Sequence, residues 1–248
     1  MSSRYPELDV LRGAAVVSMI IYHFFFDLDF LGISQHSMYA GGWLVFQRMI
    51  ASSFLLLVGI SLTISFSHVR EKPFLFIFKK FLKRAGYVMV VALLVTLGTW
   101  LAVPEAYVRF GILHLIAVST LLSLPFLFIS PFFAGFVGVG FLFASSLIKS
   151  ISVSHPFFLW LGITYPGFST VDYFPVVPWF GIVLLGIFLG KWLYPKGERK
   201  YHWLSVPTAN HRLPAAFVWI GRKALWIYLV HQPILVGILM LVIKAKTL

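Results

Sequence analysis

Cysteine is absent from this chain, which excludes disulfide staples, thiolate nucleophiles, cysteine zinc sites and iron–sulfur ligation together. Charge is scarce as well: Asp, Glu, Lys and Arg supply 11% of the 248 residues. A chain so poor in charge cannot cover a soluble domain with hydrated side chains. Internal repeats, low-complexity stretches and inverted repeats of the kind that build many transporters are likewise missing. No small-residue cleavage site follows the first apolar segment, which is also long and interrupted by charges, so a retained signal anchor is expected. What fills the sequence is 60% hydrophobic residues, 18% of the total being aromatic, at a mean hydropathy of +0.92. These values place it among integral membrane proteins.

Apolar runs bounded by charge, proline or glycine are Leu8–Leu31, Trp43–Ser67, Ala85–Val103, Phe110–Ser130, Pro131–Ile151, Val176–Tyr194 and Lys223–Ile243. Each is about the ~20 residues a bilayer requires. The expectation is an all-α, polytopic bundle of about seven transmembrane helices forming one domain over residues 1–248, with only Ser130-Pro131 marking the turn between the fourth and fifth. Pro156–Thr164 is apolar but too short to span and reads as re-entrant or interfacial. Phe74–Arg84, aromatic and basic together, reads as an anchor or an amphipathic stretch at the inner surface.

Basic residues give the orientation. Arg70, Lys72, Lys79, Lys80, Lys83 and Arg84 crowd the second connection, and Lys196, Arg199, Lys200, Arg212, Arg222 and Lys223 crowd the sixth. Both should face the cytoplasm, which puts the N-terminus inside. The formal charge of +12 is therefore a topology signal with some attraction to anionic lipid, and nucleic acid is not an expected partner.

The first span breaks the apolar pattern with Asp9, Arg12, His23, Asp27 and Asp29. Ionisable groups inside a membrane helix cost several kcal/mol and by default mark a site. At ~100° per residue, the step from Arg12 to His23 returns to within about 20° of the same face, ~16 Å further along the axis. Asp27 follows one turn beyond His23. One helix face thus carries a cation near one surface and a His/Asp pair deep inside.

Leu8-Asp9-Val10-Leu11-Arg12-Gly13 followed by Tyr22-His23-Phe24-Phe25-Phe26-Asp27-Leu28 resembles the first helix of the bacterial and archaeal relatives of heparan-alpha-glucosaminide N-acetyltransferase, within a wider superfamily of transmembrane acyltransferases. Four later blocks are similar to motifs of that family in the same order: Phe54 to Leu62, Phe110 to Ala117, Asp172 to Gly181, and Ile227 to Pro233. The resemblance implies a membrane acyltransferase using acetyl-CoA and working on a sugar or glycolipid, in the cytoplasmic membrane of a prokaryote. Its eukaryotic branch places a catalytic histidine shortly after the first helix, which brings in His36 beside His23. This chain departs from the family in carrying His114-Leu115 where many members have Gln-Arg.

Acyl transfer from a thioester needs a base for the acceptor, donors for the developing oxyanion and an anchor for the carrier's phosphates. His23 suits the base or, with the acyl group resting on it first, an acyl carrier, and Asp27 suits holding its tautomer. Arg12 suits a phosphate because its planar fork stays charged, with Lys80, Arg84 and Arg222 as further basic candidates. His114, Asp172, Tyr173, His231 and Gln232 are candidates to contact the acceptor. Each residue also has a plainer role: Asp9 and Arg12 as an ion pair, His114 as an interhelical hydrogen bond, His231-Gln232-Pro233 as a kink, Asp172-Tyr173 as a rigid helix start, and His36 as a solvated loop residue. A His/Asp pair at four-residue spacing suits a metal, but no further cluster completes a site and none is expected. The expected partners are acyl-CoA, the acceptor, membrane lipid and, in a homodimer, a second copy of the chain. Two other classes stay open: a small proton-coupled carrier using His23, Asp27 and His231 as a relay, and a structural subunit whose charges only lock helices together.

Overall fold

The computed structural model describes residues 5–35, 37–148, 151–205 and 212–247. His36 and Lys149 lie outside these, as do the side chains of Arg212 and Lys246. Nine α-helices occur among the described residues: α1 Pro6–Phe30, α2 Gly41–Ser67, α3 Phe74–Ala102, α4 Ile112–Leu122, α5 Leu124–Phe128, α6 Pro131–Ile148, α7 Val176–Leu193, α8 Arg212–Arg222 and α9 Ala224–Thr247. Six of them (α1, α2, α3, α6, α7 and α9) are long and apolar enough to cross a membrane. The protein is a polytopic helical membrane protein.

Three features depart from the sequence expectation. The fourth predicted span is built as α4 and the short α5, so six helices rather than seven reach spanning length. Pro125 sits at the joint, where proline removes a backbone donor. Ser123 nevertheless keeps the path helical, since its N–H donates to Ser119 and its carbonyl accepts from Leu127. Phe74–Arg84 is not a separate surface segment but the first turns of α3, which runs unbroken to Ala102. Finally α8, unassigned from sequence, is a helix of 11 residues ahead of the last span.

Local chemistry sets the ends of α1. Pro6 at its first position carries the φ a helix needs and has no orphan N–H, and Glu7 and Asp9 face the positive end of the helix dipole. Gly32, at φ 73, closes it: the Ile33 N–H bonds Leu28 and the Gly32 N–H bonds Asp29, the Schellman pattern that glycine permits without strain.

The chain divides into two compact units, Met1–Phe54 with His202–Leu248, and Leu55–Tyr201. In the first, Val16, Met19, Tyr22, Met38 and Ile50 form the buried core, ringed by Phe25, Phe26, Trp43 and Phe46. α8 runs back along α1: Gly13 faces the Phe217 carbonyl and Gly221 faces the Asp9 carbonyl, each so close that a Cβ would overlap backbone. α8 ends with Arg222 at Asp9 near the start of α1, and α9 then runs beside α1, bringing His231 to His23 further along it.

In the second unit α7 is the central helix. Gly186 and Gly190 let it approach α2 at Leu56 and Thr63, and Gly181 meets Gly138 of α6, the small-residue contacts that pull membrane helices together. Lys191 on α7 donates to the carbonyls of Phe126 and Ile129. Those carbonyls at the end of α5 lack helical partners, and a cation satisfies both them and the negative helix end.

Candidate functional site

His23 and His231 meet in the first unit, with ring centroids 4.8 Å apart at 76°. The Nδ1 of His23 lies 2.9 Å from the carbonyl of Met19, one turn earlier in α1. A carbonyl only accepts, so this nitrogen carries the proton and, in the neutral ring, Nε2 holds the lone pair. His231 repeats the arrangement, its Nδ1 lying 2.6 Å from the carbonyl of Tyr228. Two imidazoles thus face one another with their basic nitrogens uncommitted to backbone. Tyr22 and Phe26 pack edge-on against the His23 ring at 5.6 and 6.4 Å, and Tyr228 lies 5.6 Å from His231.

Asp27, 1% exposed, accepts a hydrogen bond of 2.5 Å from the Gln232 side-chain amide. The tautomer of His23 is therefore set by a backbone carbonyl rather than by Asp27, whose carboxylate points across to α9. Spacing along one helix places Asp27 near His23 but cannot say which neighbouring helix claims it. Pro233 follows directly, leaving the Leu229 carbonyl without its usual helical donor.

Near the start of α1, Asp9 is buried and lies 2.7 Å from the Arg12 guanidinium and 3.5 Å from Nε of Arg222. The ion-pair reading of Asp9 and Arg12 is thus realised, and a second guanidinium joins it. A buried carboxylate held by two cations is fully neutralised with positive charge to spare. Arg222 keeps nearly half its side chain exposed, so its fork is open to an anion. Sequence alone offers Arg222 as one of several basic candidates for the carrier's phosphates, without its partner. Its place beside Asp9 follows from α8, whose two glycine contacts seat it against α1.

The second unit holds the remaining candidates. Lys80 donates to the Ser65 carbonyl at 2.9 Å, and Arg84 lies one turn further along α3. His114 is fully engaged: its Nδ1 accepts from the Gly111 N–H at 3.2 Å, and its Nε2 lies 3.3 Å from the Thr96 hydroxyl, which itself donates to the Val108 carbonyl. With both nitrogens committed, His114 ties the start of α4 to α3. Asp172 accepts from the Ile112 N–H at 3.1 Å and so caps α4 from outside the helix, where a carboxylate favours the positive helix end. Tyr173 donates to the Leu159 carbonyl at 2.8 Å. His114 and Asp172 therefore build the start of α4, while Tyr173 fastens the chain ahead of α7 to the Pro156–Leu161 turn. Among the described residues no group of three or more His, Cys, Asp or Glu stands close enough to hold a metal.

Asp172 also makes stability depend on pH. Burial pushes its carboxyl up to about 6, against the opposing hydrogen bond from Ile112. A carboxyl that binds its proton more readily in the folded state lends stability that is complete below the unfolded value, near 3.8. That stability is lost as pH rises through about 6. The thermal midpoint in detergent is expected to be higher at about pH 5 than at about pH 7, and Asp172→Asn to flatten that difference. An unchanged slope in the variant would assign the dependence to another group.

The family model described as heparan-alpha-glucosaminide N-acetyltransferase, catalytic, matches residues 4–233. The chain belongs to that family. No curated protein and no solved structure matches it. The matched segment contains α1 and α8 and runs through His231 and Gln232 of α9, so both the histidine pair and the Asp9 ion-pair cluster fall inside it. Family membership gives the protein a membrane acyltransferase type of function.

Proposed function

We propose that this membrane acetyltransferase-family protein takes an acetyl group from cytoplasmic acetyl-CoA and passes it to a sugar or glycolipid at the outer face of a prokaryotic cytoplasmic membrane. The observation that carries the reading lies on α1. A guanidinium cluster stands at its start, and an imidazole with its Nε2 lone pair uncommitted to backbone stands ~16 Å deeper on the same face. That separation is comparable to the reach of an extended pantetheine arm. Arg12 and Arg222 would hold the phosphates of the carrier, which suits their charged, forked donors. The basic residues of the second and sixth connections put that end in the cytoplasm. Lys80 and Arg84, at the same basic side by this topology, extend the attraction for an anionic donor.

The thioester would then lie beside His23. Its Nε2 takes the proton from the acceptor's amine or hydroxyl as that atom attacks the carbonyl, the C–S bond breaks, and the imidazolium returns the proton to the departing thiolate. Tethering Nδ1 to Met19 keeps the ring from flipping and holds the proton on that nitrogen, so Nε2 presents the lone pair. His231 and Gln232 line the acceptor side. His23, Asp27 and His231 standing together would also serve a proton-relay carrier; membership of the acetyltransferase family weighs for transfer.

Titration of the purified protein in detergent with acetyl-CoA tests the donor site. Arg12→Ala and Arg222→Ala are each expected to weaken binding at least tenfold, since a charge-assisted hydrogen bond contributes ~1.5–3 kcal/mol. A folded, monodisperse preparation that binds no acetyl-CoA would overturn the acyltransferase reading and promote the carrier.

A further inference from the structure

The end of the second unit that the basic connections place in the cytoplasm exposes apolar side chains where charge is expected. Phe74, Leu75 and Phe76 open α3 and are 62%, 59% and 52% exposed. Phe74 stacks on Phe78 and lies 6.3 Å, ring to ring, from Phe128 at the end of α5, which in turn meets Phe66 of α2 at 4.7 Å. The turn after α5, at Ser130-Pro131, leads into Phe132 and Phe133, 76% and 54% exposed. No Asp, Glu, Lys or Arg occurs between Arg109 and Lys149, so this turn has none of the charge that a connection standing in water carries. A contiguous exposed apolar patch with a polar rim marks an interaction surface.

Two contacts set the depth of this patch. Thr96 of α3 is level with His114 of α4, 3.3 Å away, and Phe74 is level with Phe128. Counted from their positions, 22 residues of α3 cover the depth of 14 residues of the α4–α5 path, ~33 Å of helix against ~21 Å. α3 is therefore inclined to that path. An upright helix of 29 residues, ~43 Å long, would stand well out of a ~30 Å hydrocarbon core, whereas an inclined one fits within the core and its headgroup layer. Ile77 and Phe81 face into the protein, each 1% exposed. Lys79 and Lys83 come ~200° round the helix from them, exposed on the same side as Leu75 and Leu82. Their apolar stems and charged heads suit them to snorkel to lipid phosphates. Glu71 is exposed too, but stands between Arg70 and Lys72.

We propose that this end of the second unit is a docking surface for anionic phospholipid of the inner leaflet, with Phe74, Phe76 and Phe132 among the acyl chains and Lys79 and Lys83 on the phosphates. The apolar patch calls for hydrocarbon, and the lysines at its rim call for negative charge at headgroup level. A zwitterionic lipid would cover the phenylalanines but leave the lysines without net countercharge. The proposal stands apart from the acyltransferase reading, whose carrier and base residues Arg12, Arg222 and His23 lie in the first unit.

The absence of cysteine permits a reading at one position. Phe76→Cys, labelled with bimane in the full chain and reconstituted into phosphatidylcholine bilayers, is titrated with brominated phosphatidylglycerol or brominated phosphatidylcholine. Half-quenching is expected at a content of brominated phosphatidylglycerol at least tenfold lower, since each lysine near an anionic leaflet contributes about a fivefold gain in affinity. Lys79→Gln with Lys83→Gln in the same labelled chain should bring the two curves together. In detergent, the unaltered protein should melt at a higher temperature with added dioleoylphosphatidylglycerol, and not with dioleoylphosphatidylcholine or glycerol 3-phosphate. Quenching by neither lipid would mean that water, a cytoplasmic protein or a second copy covers the patch, and overturns the proposal. Equal quenching by both reduces the surface to an unselective anchor and overturns it as well. An equal rise in melting temperature with glycerol 3-phosphate would assign the lysines to free phosphates, with the same consequence. If the labelled chain does not fold, the melting comparison on the unaltered protein decides.

Discussion

His23→Ala is expected to lower acetyl transfer from acetyl-CoA by at least ~10²-fold, the lower end of what a positioned general base contributes, with acetyl-CoA affinity little changed. In the proposed mechanism the base is the Nε2 lone pair, which is left free of the proton because the Met19 carbonyl holds it on Nδ1. His23→Gln and His23→Asn therefore should not restore activity: an amide can imitate one hydrogen bond of the ring but cannot take a proton. Release of free CoA thiol in the presence of an acceptor measures the effect. If His23→Ala turns over at more than a tenth of the parental rate, the base is elsewhere, and His231, whose Nδ1 is tethered in the same way, becomes the residue to replace next. His36, the other histidine suggested by the family resemblance, lies outside the described residues and is tested by the same assay.

The second large effect is structural. Gly221→Val and Gly13→Val should each prevent stable assembly of the first unit, because the added Cβ would occupy the position of the Asp9 or Phe217 carbonyl. A crowded side chain can change rotamer, whereas backbone inside two packed helices cannot, so the cost should exceed the ~1–3 kcal/mol usual for overpacked cores. The consequence for function is direct: Gly221 precedes Arg222, and displacing α8 would carry that guanidinium away from Asp9. Gly98→Ala in α3 and Gly237→Ala in α9 provide the contrast, since a Cβ at either position meets nothing within 4 Å. These should be neutral or stabilising by up to about 1 kcal/mol, the difference in helix propensity between the two residues. Detergent-solubilised yield and thermal midpoints separate the two pairs, and equal midpoints for Gly221→Ala and Gly237→Ala would show that α8 does not pack as described.

The contrast between the two glycine pairs bears on how far a sequence can be read. Gly98 and Gly237 lie in apolar runs, Gly13 follows Arg12 and Gly221 precedes Arg222 and Lys223, but nothing in composition or spacing says which of them meets another helix's backbone. The same holds for the histidines. His23 could be picked out because a titratable group in a membrane helix is costly and because eleven residues of helix return to one face, both local rules. His114 satisfied the same local test and yet is committed at both nitrogens to Gly111 and Thr96. Hydropathy drew the spans well where they are long and continuous, but it merged α4 with α5 and passed over α8, whose 11 residues are too short to register as a span.

The sequence by itself determined the membrane class, the helical architecture and the stripe of Arg12, His23 and Asp27 on one face of α1. Each follows from rules that act within a single helix: the cost of charge in lipid, the length of a span and the helical period. Tertiary structure alone decided which partner each polar group takes. It paired Asp9 with Arg222 across 213 residues, counted from their positions, through the close glycine contacts of α8. It turned Asp27 to Gln232 instead of His23 and brought His231 against His23. Hydrogen bonds and ion pairs act over a few ångströms, and which groups come within that range depends on helix packing, which spacing along the chain does not encode.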